Sequence, residues 1–342
     1  MSRPRVLALT PVVLFAACGG GGSAPLESED GAYEIVGTYT DQFDFSQGKA
    51  NVEDVLTLHP DLAACVGLFG YNPPLILEAL KVQGRLGEVK VIAFDEDDTT
   101  LQGIVDGTVV GTVVQDPYRY GKESVRILAG LAGGSTLSDL GVDEQGVLDI
   151  PGRVIGPDEV EAFWNQKKHN LETATGGGPA PSADGPRIAF ITNGVADFWT
   201  VAEAGAIAGG AEFGARVDVL MPSGGITEQK SMVEDCLVKG LDGIAISPIN
   251  PANQVDLITR ACEATRVITH DSDAPGTDRL CYIGMDNYAA GYACGELVRE
   301  ALPAGGKVAI FIGRLEQDNA DRRWRGTRDA ILGLPYDPDG KE

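Results

Sequence analysis

The stretch that most constrains the fold is Arg187–Trp199, RIAFITNGVADFW. Ile188, Ala189, Phe190 and Ile191 make an apolar run of strand length, and the polar turn after it leads into a helix opening with Phe198 and Trp199. A strand feeding a helix is the first half of a right-handed crossover, so such a unit normally begins an α/β domain. Here it stands in mid-chain, behind Thr173–Pro186, TATGGGPAPSADGP, which has the composition of a linker.

Strand and helix patterns alternate on both sides of that linker. Before it, strands are expected at Tyr33–Asp41, Ala63–Phe69, Val89–Asp95 and Gly111–Gln115. Helices are expected over Gly48–Leu58, over Pro73–Val82 with proline in its first turn, and from Asp116-Pro117 through Leu131. A short segment around Val147–Ile155 and a helix near Asp158–Lys168 complete this half. Beyond the linker, strands are expected at 187–192, 216–221, 242–247, 266–270, 281–285 and 307–312. One helix runs from an asparagine cap at Asn250-Pro251 to Ala264, and the last covers about Ala320–Leu332. Such alternation calls for parallel sheets covered on both faces, and 342 residues suffice for two lobes.

Several function classes are disfavoured. The formal charge of −23 repels nucleic-acid phosphates. Six cysteines show no CxxC or zinc spacing, and three histidines are few for a metal site, so no metal or other cofactor is expected. No P-loop, GxSxG or metal motif appears, which argues against an enzyme. The first residues have the form of an export signal: basic Arg3 and Arg5, the apolar run Val6–Ala16, and the cleavage-like Ala16-Ala17-Cys18. The run is too short for a permanent membrane span. It resembles a bacterial lipoprotein signal over 1–18, with Cys18 the lipidated residue and Phe15 where leucine is usual; an ordinary secretory signal is the alternative. Residues 19–32, beginning GGGGSAP, look like a flexible tether.

Both halves resemble the ribose-type periplasmic sugar-binding proteins of ABC importers, but in exchanged order. Residues 187–332, with the aromatic pair, VITHDSDAPGTDRLCYIGMDN and KVAIFIGRLEQDNADRRWRG, resemble the family's N-terminal part. Residues 33–172, with YTDQFD, HPDLAACVGLFGYNPP, VIAFDEDD and GTVVGTVVQDPYRYG, resemble the part that follows it. The order implies a circular permutation, which surface-lying and often neighbouring domain termini permit. The implied fold is α/β, with two Rossmann-like lobes of parallel sheet joined by three hinge crossings. Lobe 1 would comprise 187–286 and 116–147; lobe 2 would comprise 287–342, 33–115 and 148–172.

The resemblance implies a monomeric binding protein of the periplasm or cell envelope, held to the membrane only by its lipid. It would capture a monosaccharide by hinge closure and hand it to an ABC permease. A sensor subunit presenting a sugar to a membrane receptor is the alternative, and a nucleoside is the alternative ligand. Each site residue implied by the match has a plainer structural reading. Phe198 and Trp199, and Phe43 from the other lobe, would stack on the sugar; all three could be core. Asn193 is a ligand contact or a turn cap, and Asp271 an acceptor of hydroxyls or a solvated turn residue. Ser272 stands where the family often has arginine. Arg323, in the Asn-Ala-x-x-Arg pattern from Asn319, offers a guanidinium fork, and Asn72, Asp95 and Gln115 further polar contacts, with Tyr71 beside them. A Cys262–Cys281 disulfide and free core thiols are both open. His270 is expected to be a hydrogen-bonded strand histidine with no catalytic part.

Overall fold

The computed structural model describes residues 25–175 and 185–338. The expected signal, Cys18 and most of the linker lie outside them. In the first half the strands are β1 (Leu26–Glu27), β2 (Tyr33–Thr40), β3 (Leu62–Gly67), β4 (Lys90–Phe94), β5 (Gly111–Val114), β6 (Val147–Asp149) and β7 (Arg153–Ile155). Between and after them come helices α1 (Phe45–Leu58), α2 (Asn72–Val82), α3 (Asp98–Val105), α4 (Pro117–Ala132) and α5 (Val160–Thr175). The second half holds β8 (Arg187–Ile191), α6 (Asp197–Phe213), β9 (Arg216–Leu220), α7 (Gly225–Lys239), β10 (Gly243–Ile246) and α8 (Val255–Ala264). It continues with β11 (Arg266–His270), β12 (Tyr282–Gly284), α9 (Asn287–Ala301), β13 (Gly306–Ile312) and α10 (Asp318–Leu332). A single 3₁₀ turn, Pro251–Asn253, precedes α8, and the Asn250 side chain caps it.

The strands form two sheets, ordered β1-β2-β13-β3-β4-β5-β7 and β6-β12-β11-β10-β8-β9. Every pairing in the second is parallel. In the first only the edge pairs β1–β2 and β5–β7 are antiparallel. Apolar clusters cover both faces of each sheet, as buried parallel strands require. Two departures from the sequence reading follow. Leu26–Glu27, placed in a flexible tether, pair with β2 at the sheet edge. The segment Val147–Ile155 divides between the two sheets after Asp149, where β6 ends, and not between 147 and 148.

Besides the connection from β7 to β8, which runs through the linker, the chain passes between the sheets three times: after β5, between β6 and β7, and after β12. Gly152 marks where the passages meet. A Cβ there would lie 3.2 Å from the Met285 sulfur and 3.2 Å from the Val114 carbonyl oxygen, so each passage contributes one residue to a tight junction.

Glycine brings two helix pairs into backbone contact. A Cβ on Gly121 of α4 would stand 2.0 Å from the Ala202 oxygen of α6, and one on Gly291 of α9 would stand 2.0 Å from the Arg323 oxygen of α10. Side chains at these positions would force the axes apart. The helices thereby locked, α6 and α10, are the ones that carry Trp199 and Arg323 toward the space between the sheets.

Candidate functional site

Parallel strands leave their carboxyl ends free to hold loops, and ligands of open α/β sheets bind there. In this chain those ends of both sheets border one cavity of about 530 Å³. From the first sheet come Phe43, Phe69 and Tyr71, then Asp95 after β4 and Gln115 after β5. From the second come Asn193, Phe198, Trp199 and Asp271, while Asn319 and Arg323 of α10 complete the wall.

The polar members are tied to one another. Asp271 Oδ2 accepts from Ser247 Oγ at 3.0 Å, Asn193 Nδ2 at 3.2 Å and Asn319 Nδ2 at 3.3 Å. Asn193 Oδ1 in turn accepts from the Trp199 indole at 3.1 Å. Asn193 therefore bridges ring and carboxylate instead of capping its turn. Gln229, fully buried, donates to the carbonyls of Thr192 and Ser247 and so fixes the strand ends that present Asn193 and Ser247. Across the cavity, Gln115 Nε2 donates to Asp95 Oδ1 at 2.7 Å.

Arg323 is 1% exposed. Its guanidinium lies 4.2 Å from the centre of the Phe94 ring, its Nε donates to Asn287 Oδ1 at 2.8 Å, and its Nη2 faces Asp271 Oδ1 at 3.8 Å. That Nη2 and Asn319 Oδ1 are buried without a hydrogen-bond partner among the described residues. Burial pushes the Asp271 carboxyl up to about 6, and it pushes Asp95 upward as well; in both the Arg323 charge opposes the shift. The arrangement offers hydroxyl-sized acceptors and donors around a space with aromatic rings on two sides, the combination that recognises a polyol with apolar C–H faces.

Eight of the nine expected ligand residues border this cavity: Phe43, Asp95, Gln115, Asn193, Phe198, Trp199, Asp271 and Arg323. Asn72 does not. It is 2% exposed, its Nδ2 donates to Asp41 Oδ2 at 3.1 Å, and its Oδ1 accepts from the Phe69 amide at 3.0 Å. Both ends of the amide are used inside the lobe. Phe45, Phe69, Glu96, Lys167 and Arg314 also line the cavity without having been singled out from sequence. Lys167 Nζ donates to the Glu96 carbonyl and to Asp98 Oδ1. Glu96, six residues after the start of β4, shows a signal in hindsight: it extends the carboxylate run that Asp95 begins.

His270 is also corrected. Its ring stacks on Phe190 at 4.1 Å and meets Trp199 edge-on, but neither nitrogen has a side-chain hydrogen bond. Burial drives its pKa down to about 3, so the ring is a neutral packing element. Cys262 and Cys281 are free thiols, which leaves the disulfide alternative without support. Among the described residues no cluster of His, Cys, Asp or Glu could hold a metal, and no helix is long and apolar enough to cross a membrane.

A family model described as a periplasmic binding protein domain matches residues 21–136 and 188–341. The D-ribose/D-allose-binding protein of Pseudomonas aeruginosa is 26% identical over 166 residues, covering 44% of this chain and 51% of that protein. The ribose import binding protein RbsB of Bacillus subtilis is 32% identical over 94 residues, covering 27% of this chain and 30% of that one. The chain thus spans about half the length of the first relative and less than a third of the second. Among solved structures, an ABC transporter solute-binding protein from Burkholderia graminis in complex with D-arabinose aligns with a TM-score of 0.43 at 29% identity, over 46% of this chain and 55% of that one.

Proposed function

The chain belongs to the family of periplasmic binding proteins, with the type I fold, and from that premise we propose that it captures a monosaccharide between its two lobes and delivers it to an ABC importer. The observation that supports the reading is the single cavity into which both sheets send rings and carboxylates, with Arg323 paired across it to Asp271. Binding pulls the lobes together about the junction of Val114, Gly152 and Met285. The polar fork of Arg323, the two aspartates, Asn193 and Gln115 bond the hydroxyls, while Phe43 and the Phe198–Trp199 pair cover the sugar faces.

The test is a thermal-shift screen against pentoses, hexoses and nucleosides. A ligand at about a hundredfold its Kd stabilises the folded state by about 2.7 kcal/mol. Asp95→Asn should abolish the rise. A melting temperature indifferent to every sugar sinks the reading, and a rise with nucleosides alone replaces the ligand class.

Two further elements belong to the proposal. Cys18 carries the lipid that keeps the protein at the membrane, so Cys18→Ala should release it from the membrane fraction. The order of the two segments is exchanged relative to the family. In support, residues from near opposite ends of the described chain share one side chain: Arg299 lies 4.8 Å over the Tyr33 ring and donates to the Ile331 carbonyl at 3.2 Å. A short connection between those regions would restore the family order.

A further inference from the structure

The aromatic wall of the first lobe depends on a carboxylate that the cavity does not expose. Asp41 follows β2, is 3% exposed and is absent from the cavity lining. Its Oδ1 accepts from the Phe43 amide at 2.9 Å and from the Tyr71 hydroxyl, and its Oδ2 accepts from Asn72 Nδ2 at 3.1 Å. Asn72 passes the restraint on, through its bond from the Phe69 amide. One carboxylate thus reaches three rings of the wall: Phe43, Tyr71 and Phe69.

Those rings need holding. Gln42 and Phe43 are consecutive residues in the left-handed region, with φ of 56° and 66°. For ordinary side chains that conformation persists only where the surroundings impose it. The imposed turn aims Phe43 at the cavity, where Phe69 meets it edge-on at 5.4 Å and the Arg314 guanidinium covers it at 4.7 Å. Gly313 leaves the room: a Cβ there would stand 2.8 Å from the Tyr71 oxygen and 3.4 Å from Phe43 Cζ. Because Asp41 occupies the Tyr71 hydroxyl, Tyr71 presents ring and not donor to the cavity.

We propose that Asp41 is a positioning residue for ligand binding: it fixes the strained Phe43 turn and turns Tyr71 into an apolar wall, without touching the ligand. The inference rests on the sugar-binding reading for its affinity arm only.

The ligand-free arm is hydrogen exchange of the Phe43 amide. Asp41→Ala should speed it at least tenfold while the Val55 amide, inside α1, stays protected; unchanged Phe43 protection overturns the proposal. The affinity arm uses D-ribose. Asp41→Ala and Phe43→Ala should each weaken binding about tenfold, and the double variant should lose less than the product of the two, because the part of the Asp41 effect that runs through Phe43 is already gone. Losses that multiply in full overturn the proposal, since Asp41 would then act wholly apart from the Phe43 turn. Should Asp41→Ala fold poorly, Gly313→Ala disturbs the same two rings from the other side and should reproduce the affinity loss; an unchanged affinity would count against the proposal. Failure of the unaltered protein to bind D-ribose moves this measurement to whichever sugar raises its melting temperature; failure with every sugar counts against the sugar reading, and the exchange arm still decides this one.

Discussion

Asp95 and Asp271 hold equivalent posts on opposite sides of the cavity. Each directly follows a parallel strand, each has a left-handed backbone, with φ of 64° and 59°, and each donates its amide to the neighbouring strand, to Val113 at 2.9 Å and Ile283 at 3.0 Å. Asp and Asn tolerate that conformation far better than branched residues do. The charge of Arg323 acts on both.

Backbone and side-chain roles at Asp95 can therefore be separated. Asp95→Asn should keep the fold and lose sugar binding. Asp95→Val should lose binding and in addition about 1–3 kcal/mol of stability from the strained backbone. Urea unfolding of the two variants checks the difference.

The buried Asp271 carboxyl sets a pH dependence. Its folded value of about 6 lies above the ordinary 3.8. Below pH ~4 it is neutral in folded and unfolded chains alike; as pH rises through 6 the folded state must bury the charge and loses stability, about 3 kcal/mol at 1.36 kcal/mol per pKa unit. Asp271→Asn has no such loss. The unfolding free energy of the variant relative to the parent, measured from pH 4 to 8, should therefore climb with pH and level off above about 7. Sugar affinity should move oppositely, weakening below pH 6 as the acceptor takes up a proton.

His270 predicts the reverse slope. Its folded pKa of about 3 lies below the ordinary 6.5, so on acidification the unfolded chain takes up a proton that the folded chain refuses. Stability is lost as pH falls from 6.5 toward 3. His270→Phe removes this penalty and two unsatisfied nitrogens. Its melting temperature should gain on the parent steadily between pH 7 and 4, and a constant gap would falsify the buried neutral assignment.

Helix contact through glycine can be tested away from the cavity. Gly291→Ala sets a methyl against the Arg323 carbonyl and Gly121→Ala sets one against Ala202. Overpacking of this kind costs about 1–3 kcal/mol. Gly291→Ala should also weaken ligand binding by moving Arg323, whereas Gly134→Ala, where nothing lies within 4 Å but φ is positive, should cost stability without affinity. Calorimetry on the three variants gives both quantities.

The proposed exchange of order predicts that a chain with residues 187–338 placed first and 25–172 second, joined by a short flexible linker, folds with the same ligand-dependent rise in melting temperature. Loss of that rise in a folded product would count against the permutation.

The sheets were legible because buried parallel strands are written as apolar runs closed by polar residues, and Phe190, Phe94 and Phe311 all sit in such runs. Helix α3 was not: DTTLQGIV has a short and mixed apolar face, although Asp97, whose side chain accepts from the Thr99 amide, was a cap signal in plain sight. Residues placed at strand ends by motif, such as Asp95 and Asp271, came out on the cavity because strand ends are fixed by pattern. Asn72 looked the same in sequence, and only the fold reveals Asp41 as its partner. Lys167 and Arg314 reach the cavity from elements whose packing no local pattern encodes. His270 looked like a hydrogen-bonded strand residue, but its ring is packed flat on Phe190 and neither nitrogen meets a side-chain partner.

The position of β13 bears on the order of folding. It lies between β2 and β3, so the sheet begun by the earliest strands has a gap in its middle until residues 306–312 have been made. Residues 306–312 must close on partners at 33–40 and 62–67, a long loop to draw together, and such distant pairings form slowly.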